Sequence, residues 1–195
     1  HEKQSVFHNA DDHFKMFLGG NRSGKTYAGV TEDVIHLTKN TNFRKFDYSE
    51  PTRGRVVAVD MVRGVEQIIL PYVKQFLPSS ALINGSWEDS YHNAKSLLTV
   101  ADGATCEFMS YEQSTEKFAG TSRHFIHYDE EPPMNIYNEC QARLIDTDGF
   151  SWLTMTPVEG ATWVFDKIYD LADMDPLKEF FIQPNIELGI APAFR

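Results

Sequence analysis

The segment from Gly19 to Thr26, Gly-Gly-Asn-Arg-Ser-Gly-Lys-Thr, matches the pattern G-x-x-x-x-G-K-[ST], which is typical of a phosphate-binding loop, or P-loop. Glycines in such a loop let backbone N–H groups surround phosphate oxygens without a Cβ in the way. Lys25 can reach the β- and γ-phosphates, and the Thr26 hydroxyl can ligate Mg²⁺. A helix that begins near Lys25 points the positive end of its dipole at the same phosphates. The residues predicted to contact nucleotide here are Gly19, Gly20, Asn21, Arg22, Ser23, Gly24, Lys25 and Thr26.

The residues on either side of this loop predict the strand and the helix that the motif requires. Phe14 to Leu18 is an apolar-rich segment typical of a strand, and Tyr27 to Lys39 can form a helix. The alternative is a glycine-rich turn that matches by accident, which average composition predicts in about one per cent or fewer of chains of this length. The flanking strand and helix favour a loop that binds nucleotide.

Two acidic residues, Asp129 and Glu130, directly follow the apolar segment Phe125–Tyr128. A carboxylate at the carboxyl end of a parallel strand lies at the sheet edge where ligands bind. Asp129 could then hold Mg²⁺ through water, opposite Thr26. Glu130 could act as the general base, or orient the water that attacks the γ-phosphorus. The alternative is a charged turn after a strand, and the upstream P-loop favours the catalytic interpretation.

Two arginines are candidates for stabilising the charge that develops on a transferring phosphoryl group. Arg22 lies inside the P-loop and could contact the γ-phosphate, or it could point outward from a variable position. Arg123 precedes the Asp129 strand and is the candidate for an arginine finger inserted into a neighbouring subunit's site. The alternative for Arg123 is a solvated arginine at a strand end. The predicted catalytic residues are therefore Glu130, Lys25 and Arg22.

Small hydroxyl side chains end the next predicted strand, in the run Thr154-Met155-Thr156-Pro157. At a strand tip beside the γ-phosphate, Thr154 and Thr156 could detect hydrolysis and transmit movement. The alternative is that threonine occurs here because it suits strands. We predict the coupling role for both residues.

The N-terminal run Gln4-Ser5-Val6-Phe7-His8 combines a glutamine with an aromatic residue shortly before the P-loop strand. A glutamine in this position could bind an adenine base by hydrogen bonds, and the aromatic ring could stack on that base. We predict that Gln4 contacts the nucleotide. The alternative is an ordered N-terminal tail.

Strands and helices alternate along the chain, which predicts a mainly parallel sheet with helices on both faces. Asp102-Gly103 marks a hairpin between two of the strands. The further predicted strands are Arg53–Asp60, Leu97–Val100, Thr105–Met109, Phe150–Thr156 and Phe180–Ile182. The further predicted helices are Met61–Phe76, which contains Pro71, Met134–Leu144 and Ala161–Leu171.

A glutamate next to the acidic-strand aspartate, with an extra strand inserted between the P-loop strand and the acidic strand, marks one division of P-loop NTPases. This ASCE or RecA-like division includes helicases, recombinases and translocases. We predict an α/β fold of this division and expect Leu98 or Val57 to lie on the inserted strand. The N-K-x-D motif by which GTPases bind their base is absent from the sequence.

Length and composition predict one domain over residues 1–195, with residues 1–13 as an N-terminal segment that could contact adenine. The net charge of −10 argues against a surface that binds nucleic acid over a whole face, so any DNA contact must be local or made as part of an assembly. Charge alone also allows an acidic domain with no nucleic-acid role. No apolar run approaches the length of a membrane span. Cys106 and Cys140 are interpreted as buried thiols, and His124 and His127 as packing residues without metal-ligand spacing.

Several segments together resemble the ATPase domain of the large terminase subunit of tailed bacteriophages, the motor that packages DNA into the capsid. Three runs are more particular to this family than the P-loop is: Phe-Ala-Gly at 118–120, Asp-Glu-Glu-Pro at 129–132 and Thr-Met-Thr-Pro-Val-Glu-Gly at 154–160. The matching segments are Phe17–Thr26, Phe118–Gly120, Ile126–Pro133, Tyr137–Glu139, Arg143–Leu144, and Leu153–Gly160 with Trp163.

The resemblance implies ATP-driven translocation of double-stranded DNA by a ring of subunits on a portal, with a small terminase subunit as a further partner. It implies a place in the host bacterial cytoplasm and no membrane. It also implies Lys25 and Thr26 on phosphate and Mg²⁺, Asp129 and Glu130 as the Walker B aspartate and the catalytic glutamate, and 154–156 as the coupling motif.

Two departures from the family qualify this resemblance. Some members carry an arginine finger just before the glycine that matches Gly120, where this chain has Ala119. The family's C-terminal nuclease domain, an RNase H-like domain, is expected to follow the ATPase domain and is absent from this chain. Two alternative functions are a helicase-like or other nucleic-acid-stimulated ATPase with a single RecA-like core, and a nucleotide-binding scaffold that does not hydrolyse ATP.

Overall fold

The computed structural model describes residues 2–39, 48, 50–156, 163, 164, 166, 167 and 179–183, the last five as backbone only. Within these residues the strands are β1 (Phe14–Gly19), β2 (Arg53–Ala58), β3 (Tyr91–His92), β4 (Leu97–Thr99), β5 (Thr105–Ser110), β6 (Phe125–Asp129), β7 (Phe150–Met155) and β8 (Glu179–Gln183). They form one sheet with the order β3-β4-β5-β2-β6-β7-β1-β8. The strands from β5 to β8 in this order are parallel, and β3 and β4 form an antiparallel edge.

The described helices are α1 (Glu2–Asn9), α2 (Lys25–Thr38), α3 (Leu70–Phe76), α4 (Trp87–Ser90) and α5 (Met134–Ala142). A π-helix over Met61–Ile69 leads directly into α3. Short 3₁₀ turns lie at Ser79–Ala81, Ile83–Gly85, Asn93–Lys95, Thr115–Phe118 and Ile145–Thr147. In the described part of the chain, no helix is both long and apolar enough to cross a bilayer.

Alternate strand residues pack into two separate cores, because successive side chains of a strand point to opposite faces of the sheet. Phe17 and Trp152 belong to the core on the face that carries α1, α2 and α3. Their neighbours Met16 and Leu153 belong to the core on the opposite face, which also contains Ile136 of α5. The prediction of a mainly parallel sheet covered on both faces is confirmed.

A buried charge pair fastens the first two helices to the P-loop strand. Lys15 of β1 and Glu32 of α2 are fully buried and contact each other. Lys15 Nζ also donates to the Phe7 carbonyl (3.1 Å), and His8 Nδ1 lies 2.8 Å from Glu32 Oε2. Burial alone would raise the pKa of Glu32, but Lys15, His36 and His8 hold this pKa well below its usual value.

The sequence located most elements correctly, including the hairpin of β4 and β5 around Asp102-Gly103 and the strand β8. The prediction for the inserted strand was wrong. β7 lies between β1 and β6, whereas Val57 lies on β2 and Leu98 on β4. Sequence gives strand existence but not strand order, which long-range pairing decides. The predicted helix Ala161–Leu171 lies mostly outside the described residues.

Candidate active site

Strand register brings the separate sequence motifs to one edge of the sheet. β1 and β7 pair in parallel with Leu18 opposite Met155, and β6 and β7 pair with Asp129 opposite Thr154. The P-loop follows β1, and Glu130 follows β6. The carboxyl ends of parallel strands are where ligands bind in such sheets.

The P-loop takes a conformation that leaves the start of α2 open. Gly24 (φ +86°) and Arg22 (φ +61°) are left-handed, and Ala28 N donates to Gly24 O (3.0 Å). No side chain caps the first N–H groups of α2, so they remain available to an anion. Lys25 Nζ donates to Gly20 O (3.2 Å) across the loop. Burial lowers the pKa of Lys25, and the carboxylates of Glu130 and Asp129 oppose this shift.

Three oxygen-bearing side chains meet at the end of β6. Thr26 Oγ1 donates to Asp129 Oδ1 (3.1 Å), and Thr154 Oγ1 donates to the same oxygen (2.9 Å). A hydroxyl beside a carboxylate suits Mg²⁺, which takes few protein ligands when phosphates and water supply the rest. The described residues contain no cluster of three or more histidine, cysteine or acidic side chains arranged for a metal. Thr26 and Asp129 therefore fit a magnesium nucleotide better than a free-standing metal centre.

Glu130 is held in an unusual backbone conformation with φ of +64°, which is strained for a residue with a Cβ. Its N–H donates to Thr154 O (2.8 Å), and its own carbonyl accepts from Tyr111 Oη (2.9 Å). Its carboxylate accepts from Thr156 N (2.7 Å) and Thr156 Oγ1 (3.2 Å). These contacts aim the carboxylate, and its Oε1 lies 4.0 Å from Lys25 Nζ.

The environment of Glu130 favours proton acceptance. Its side chain is 37% exposed, so water can reach it. Burial raises the pKa of Glu130 above its usual value, against the opposing effects of Thr156 and Lys25. A carboxylate with a raised pKa is a better general base at neutral pH.

The N-terminal segment is a helix packed against the P-loop. Gln4 Nε2 donates to Gly24 O (3.1 Å), so the predicted nucleotide contact lies beside the loop. A Cβ on Gly24 would come within 2.8 Å of Gln4 Nε2. The stacking role suggested for the neighbouring aromatic residue is wrong for Phe7, which is fully buried edge-on against Phe17 (5.4 Å between ring centroids).

The two candidate arginines lie in different places. Arg22 is exposed at the tip of the P-loop. Arg123 precedes the amino end of β6, so Asp129, at the carboxyl end of that strand, lies toward the opposite edge of the sheet. Its Nε and its terminal nitrogen donate to Glu107 Oε1 (3.1 and 2.7 Å), and its side chain is 12% exposed. The fold does not bring Arg123 into its own chain's site, and a finger role would require it to leave Glu107.

Sequence reasoning missed three residues that support the site. Tyr111 contacts the Glu130 backbone, and His127 and Asp33 form a buried pair behind Thr154. His127 was interpreted as a packing residue. Its position two residues before Asp129 on one strand was the available signal, because alternate residues share a face. Nothing in the sequence pairs it with Asp33.

A P-loop after β1, an Asp-Glu pair at the carboxyl end of β6 and one strand inserted between β1 and β6 define the fold of an ASCE P-loop NTPase. The sequence agrees: residues 16–168 match the family model described as terminase large subunit, T4likevirus-type, N-terminal. The chain belongs to this family. The family resemblance seen in the motifs is thereby confirmed.

One related sequence and two solved structures are similar to this chain. The terminase large subunit of Salmonella phage P22 is 26% identical to this chain in an alignment of 204 positions that covers 86% of this chain. The chain spans 40% of the length of that relative. The large terminase ATPase domain of Thermus phage P74-26 has a similar fold, with a TM-score of 0.71, 14% identity, and coverage of 93% of this chain and 80% of that one. The large terminase of a second thermophilic bacteriophage, in complex with ADP, has a TM-score of 0.70, 16% identity, and coverage of 93% and 44%.

Proposed function

We propose that this chain hydrolyses ATP in a Mg²⁺-dependent reaction that drives double-stranded viral DNA into a procapsid. The observation that carries the proposal is the meeting of Lys25, Glu130 and the Thr26–Asp129 pair at one sheet edge, with Lys25 Nζ 4.0 Å from Glu130 Oε1. Family membership supplies the context, and the ADP complex of the similar thermophilic phage terminase supports nucleotide as the ligand.

Each residue of the site has a distinct task in this proposal. The P-loop backbone N–H groups and Lys25 bind the β- and γ-phosphates, while Thr26 and Asp129 hold Mg²⁺. When bound, Mg²⁺ neutralises charge on the phosphate oxygens. The Glu130 carboxylate accepts a proton from the attacking water, and Thr156 orients that carboxylate through two hydrogen bonds. Arg22 is exposed at the loop tip and is available to the γ-phosphate.

The tip of β7 is the proposed coupling element. Thr154 contacts Asp129, and Thr156 contacts Glu130, so one short segment is bonded to both acidic groups. Loss of the γ-phosphate changes the charge that Glu130 faces, which shifts the bonds to Thr156. We expect the β7 tip to move as a result. This movement would then drive the translocation of DNA.

The proposed partners are double-stranded DNA, a portal protein, a small terminase subunit and further copies of this chain in a ring on the portal. DNA packaging takes place in the host bacterial cytoplasm, on the procapsid. A net charge of −10 argues against a wide basic face, so the proposed DNA contact is local.

Replacing Lys25 by Ala is expected to weaken nucleotide binding by at least about tenfold, because a charge-assisted phosphate contact contributes about 1.5–3 kcal/mol. Affinity is measured with a fluorescent ATP analogue in the presence of Mg²⁺. Lys74→Ala is the matched control, since Lys74 is exposed and paired with Glu88 (3.6 Å) on α4. Equal affinity in the Lys25 variant and the control would contradict the phosphate-binding role.

Turnover per chain is expected to rise with protein concentration, because an arginine finger acts only when a neighbouring subunit is present. The isolated domain should hydrolyse ATP slowly when dilute. Steady-state rates are measured across a wide range of chain concentrations, with the oligomeric state followed by light scattering. A rate per chain that stays constant while oligomers form would rule out a group acting in trans.

A further inference from the structure

A chain of buried hydrogen bonds runs from α2 to the proposed magnesium site. Asp33 Oδ2 lies 2.9 Å from His127 Nδ1, and His127 Nε2 lies 3.0 Å from Thr154 Oγ1. Thr154 Oγ1 lies 2.9 Å from Asp129 Oδ1, which also accepts from Thr26. Asp33, His127 and Thr154 are all fully buried. Asp33 and His127 take no direct part in the proposed reaction.

Counting the available hydrogens identifies the donor and the acceptor in each of these hydrogen bonds. An ionised carboxylate only accepts hydrogen bonds, so the Thr154 hydroxyl must give its single hydrogen to Asp129. The opposite arrangement would place two oxygen lone pairs against each other at 2.9 Å. With its hydrogen committed, Thr154 can only accept from His127, which requires a hydrogen on His127 Nε2.

The other end of the hydrogen-bond chain is compatible with a hydrogen on His127 Nε2. One proton lies between His127 Nδ1 and Asp33 Oδ2. With Nε2 also protonated, the pair is either an imidazolium beside a carboxylate or a neutral imidazole that accepts from a protonated Asp33. Asp33 Oδ1 has no hydrogen-bond partner among the described residues, and Asp33 Oδ2 is the oxygen that His127 contacts.

Helix α2 leaves room for this arrangement at Gly29. A Cβ there would overlap the His127 imidazole and would lie 2.9 Å from Thr154 Cγ2. Glycine inside a helix costs about 1 kcal/mol relative to alanine. The space it leaves lets the His127 ring fit between α2 and β7.

We propose that Asp33 and His127 are positioning residues that orient the Thr154 hydroxyl toward Asp129. They thereby keep Asp129, the proposed Mg²⁺ ligand, aligned with the tip of β7. This inference rests on the proposed ATPase function. The same β7 residue accepts the Glu130 N–H (2.8 Å), so Thr154 links the metal group to the general base. Without His127, the Thr154 hydroxyl loses the donor that holds its oxygen in place, and both acidic residues lose alignment.

The first test reads the position of the hydrogen directly. Ring nitrogen signals are measured by NMR on the ¹⁵N-histidine-labelled chain without nucleotide, and His127 is assigned through bonds from its backbone. A hydrogen on Nε2 is expected. A ring that carries its hydrogen on Nδ1 alone would overturn the proposal. This measurement needs no turnover, so it remains decisive even if the chain proves not to hydrolyse ATP.

The second test separates positioning from folding. His127→Gln is expected to lower kcat roughly 10- to 100-fold, because small misalignments of catalytic groups have effects of this size. The KM for MgATP should stay within about threefold, since ground-state phosphate contacts are unchanged. His124→Gln is the matched control. His124 is buried, and it accepts from Arg53 N (3.0 Å) and pairs with Glu50 (3.2 Å) away from the site.

The third test uses two variants of Thr154 to separate loss of the hydroxyl from loss of the fold. Thr154→Ser keeps the hydroxyl and should retain kcat within about tenfold, whereas Thr154→Val removes it and should lower kcat like His127→Gln. If the His124 and His127 variants lose kcat equally, or if Thr154→Val matches Thr154→Ser, the positioning role is refuted. If the wild-type chain does not hydrolyse ATP, the proposed function fails, and the NMR result alone then decides the hydrogen-bond direction.

Discussion

Replacing Glu130 by Gln is expected to lower the rate of ATP hydrolysis by about 10³-fold or more, while nucleotide binding survives. A general base contributes about 10²–10⁴ to a rate, and an amide cannot accept the proton of the attacking water. The glutamine side chain has nearly the same size, and its carbonyl can still accept from Thr156 N. Removing a negative charge near the triphosphate also reduces repulsion, so affinity should be equal or higher.

The measurement for Glu130→Gln is phosphate release under saturating MgATP, with affinity followed separately by a fluorescent analogue. Glu131→Gln is the matched control, because it removes a neighbouring carboxylate that we do not place in the reaction. Its rate should stay within a few-fold of the wild-type rate. Turnover of the Glu130 variant within tenfold of the control would disprove the assignment of the base. Loss of binding together with turnover would indicate a structural role.

Replacing Lys15 by Met is expected to reduce the free energy of unfolding by about 3–5 kcal/mol, because removing one partner of a buried pair leaves the other charge uncompensated. Lys15 and Glu32 are both fully buried, and Lys15 also donates to the Phe7 carbonyl. The loss is large relative to a total stability of about 5–15 kcal/mol for a domain. His8 Nδ1 lies 2.8 Å from Glu32 and moderates the effect.

Urea unfolding followed by circular dichroism measures the Lys15→Met effect. Lys74→Met is the control: Lys74 pairs with Glu88 at the surface, with side chains 56% and 78% exposed, and should lose less than about 1 kcal/mol. The double variant Lys15→Met/Glu32→Leu should recover part of the loss, since no unpaired carboxylate remains. A Lys15→Met penalty no larger than the control's would show that the buried pair adds nothing to stability.

Local chemistry explains why much of this molecule was predictable. The P-loop pattern depends on glycine conformation and on a lysine at fixed spacing, so it is visible in a short segment. The left-handed Gly24 and the start of α2 at Lys25 agree with that prediction. The strands β1, β2, β6 and β7 were also recognisable, because buried parallel strands are continuous apolar runs.

The errors came from contacts between residues that are distant in sequence. Val57 and Leu98 were equally reasonable candidates for the inserted strand, but pairing places β7 between β1 and β6. Phe7 resembled a base-stacking ring, but packing against Phe17 buries it completely. His127 resembled a packing residue, but the fold places it against Asp33, which lies on α2 far upstream in the chain.

The linear sequence is enough to identify the groups that can do chemistry: a P-loop with its lysine, a hydroxyl, and two adjacent acids. Residue type and short spacing specify these groups, and both are properties of the linear chain. The folded sheet is needed to show that Lys25 lies near Glu130, that Thr154 and Thr156 contact the two acids, and that Asp33 and His127 pack behind Thr154. Hydrogen-bond partners far apart in sequence are selected by strand order and register, which depend on the packing of the whole sheet.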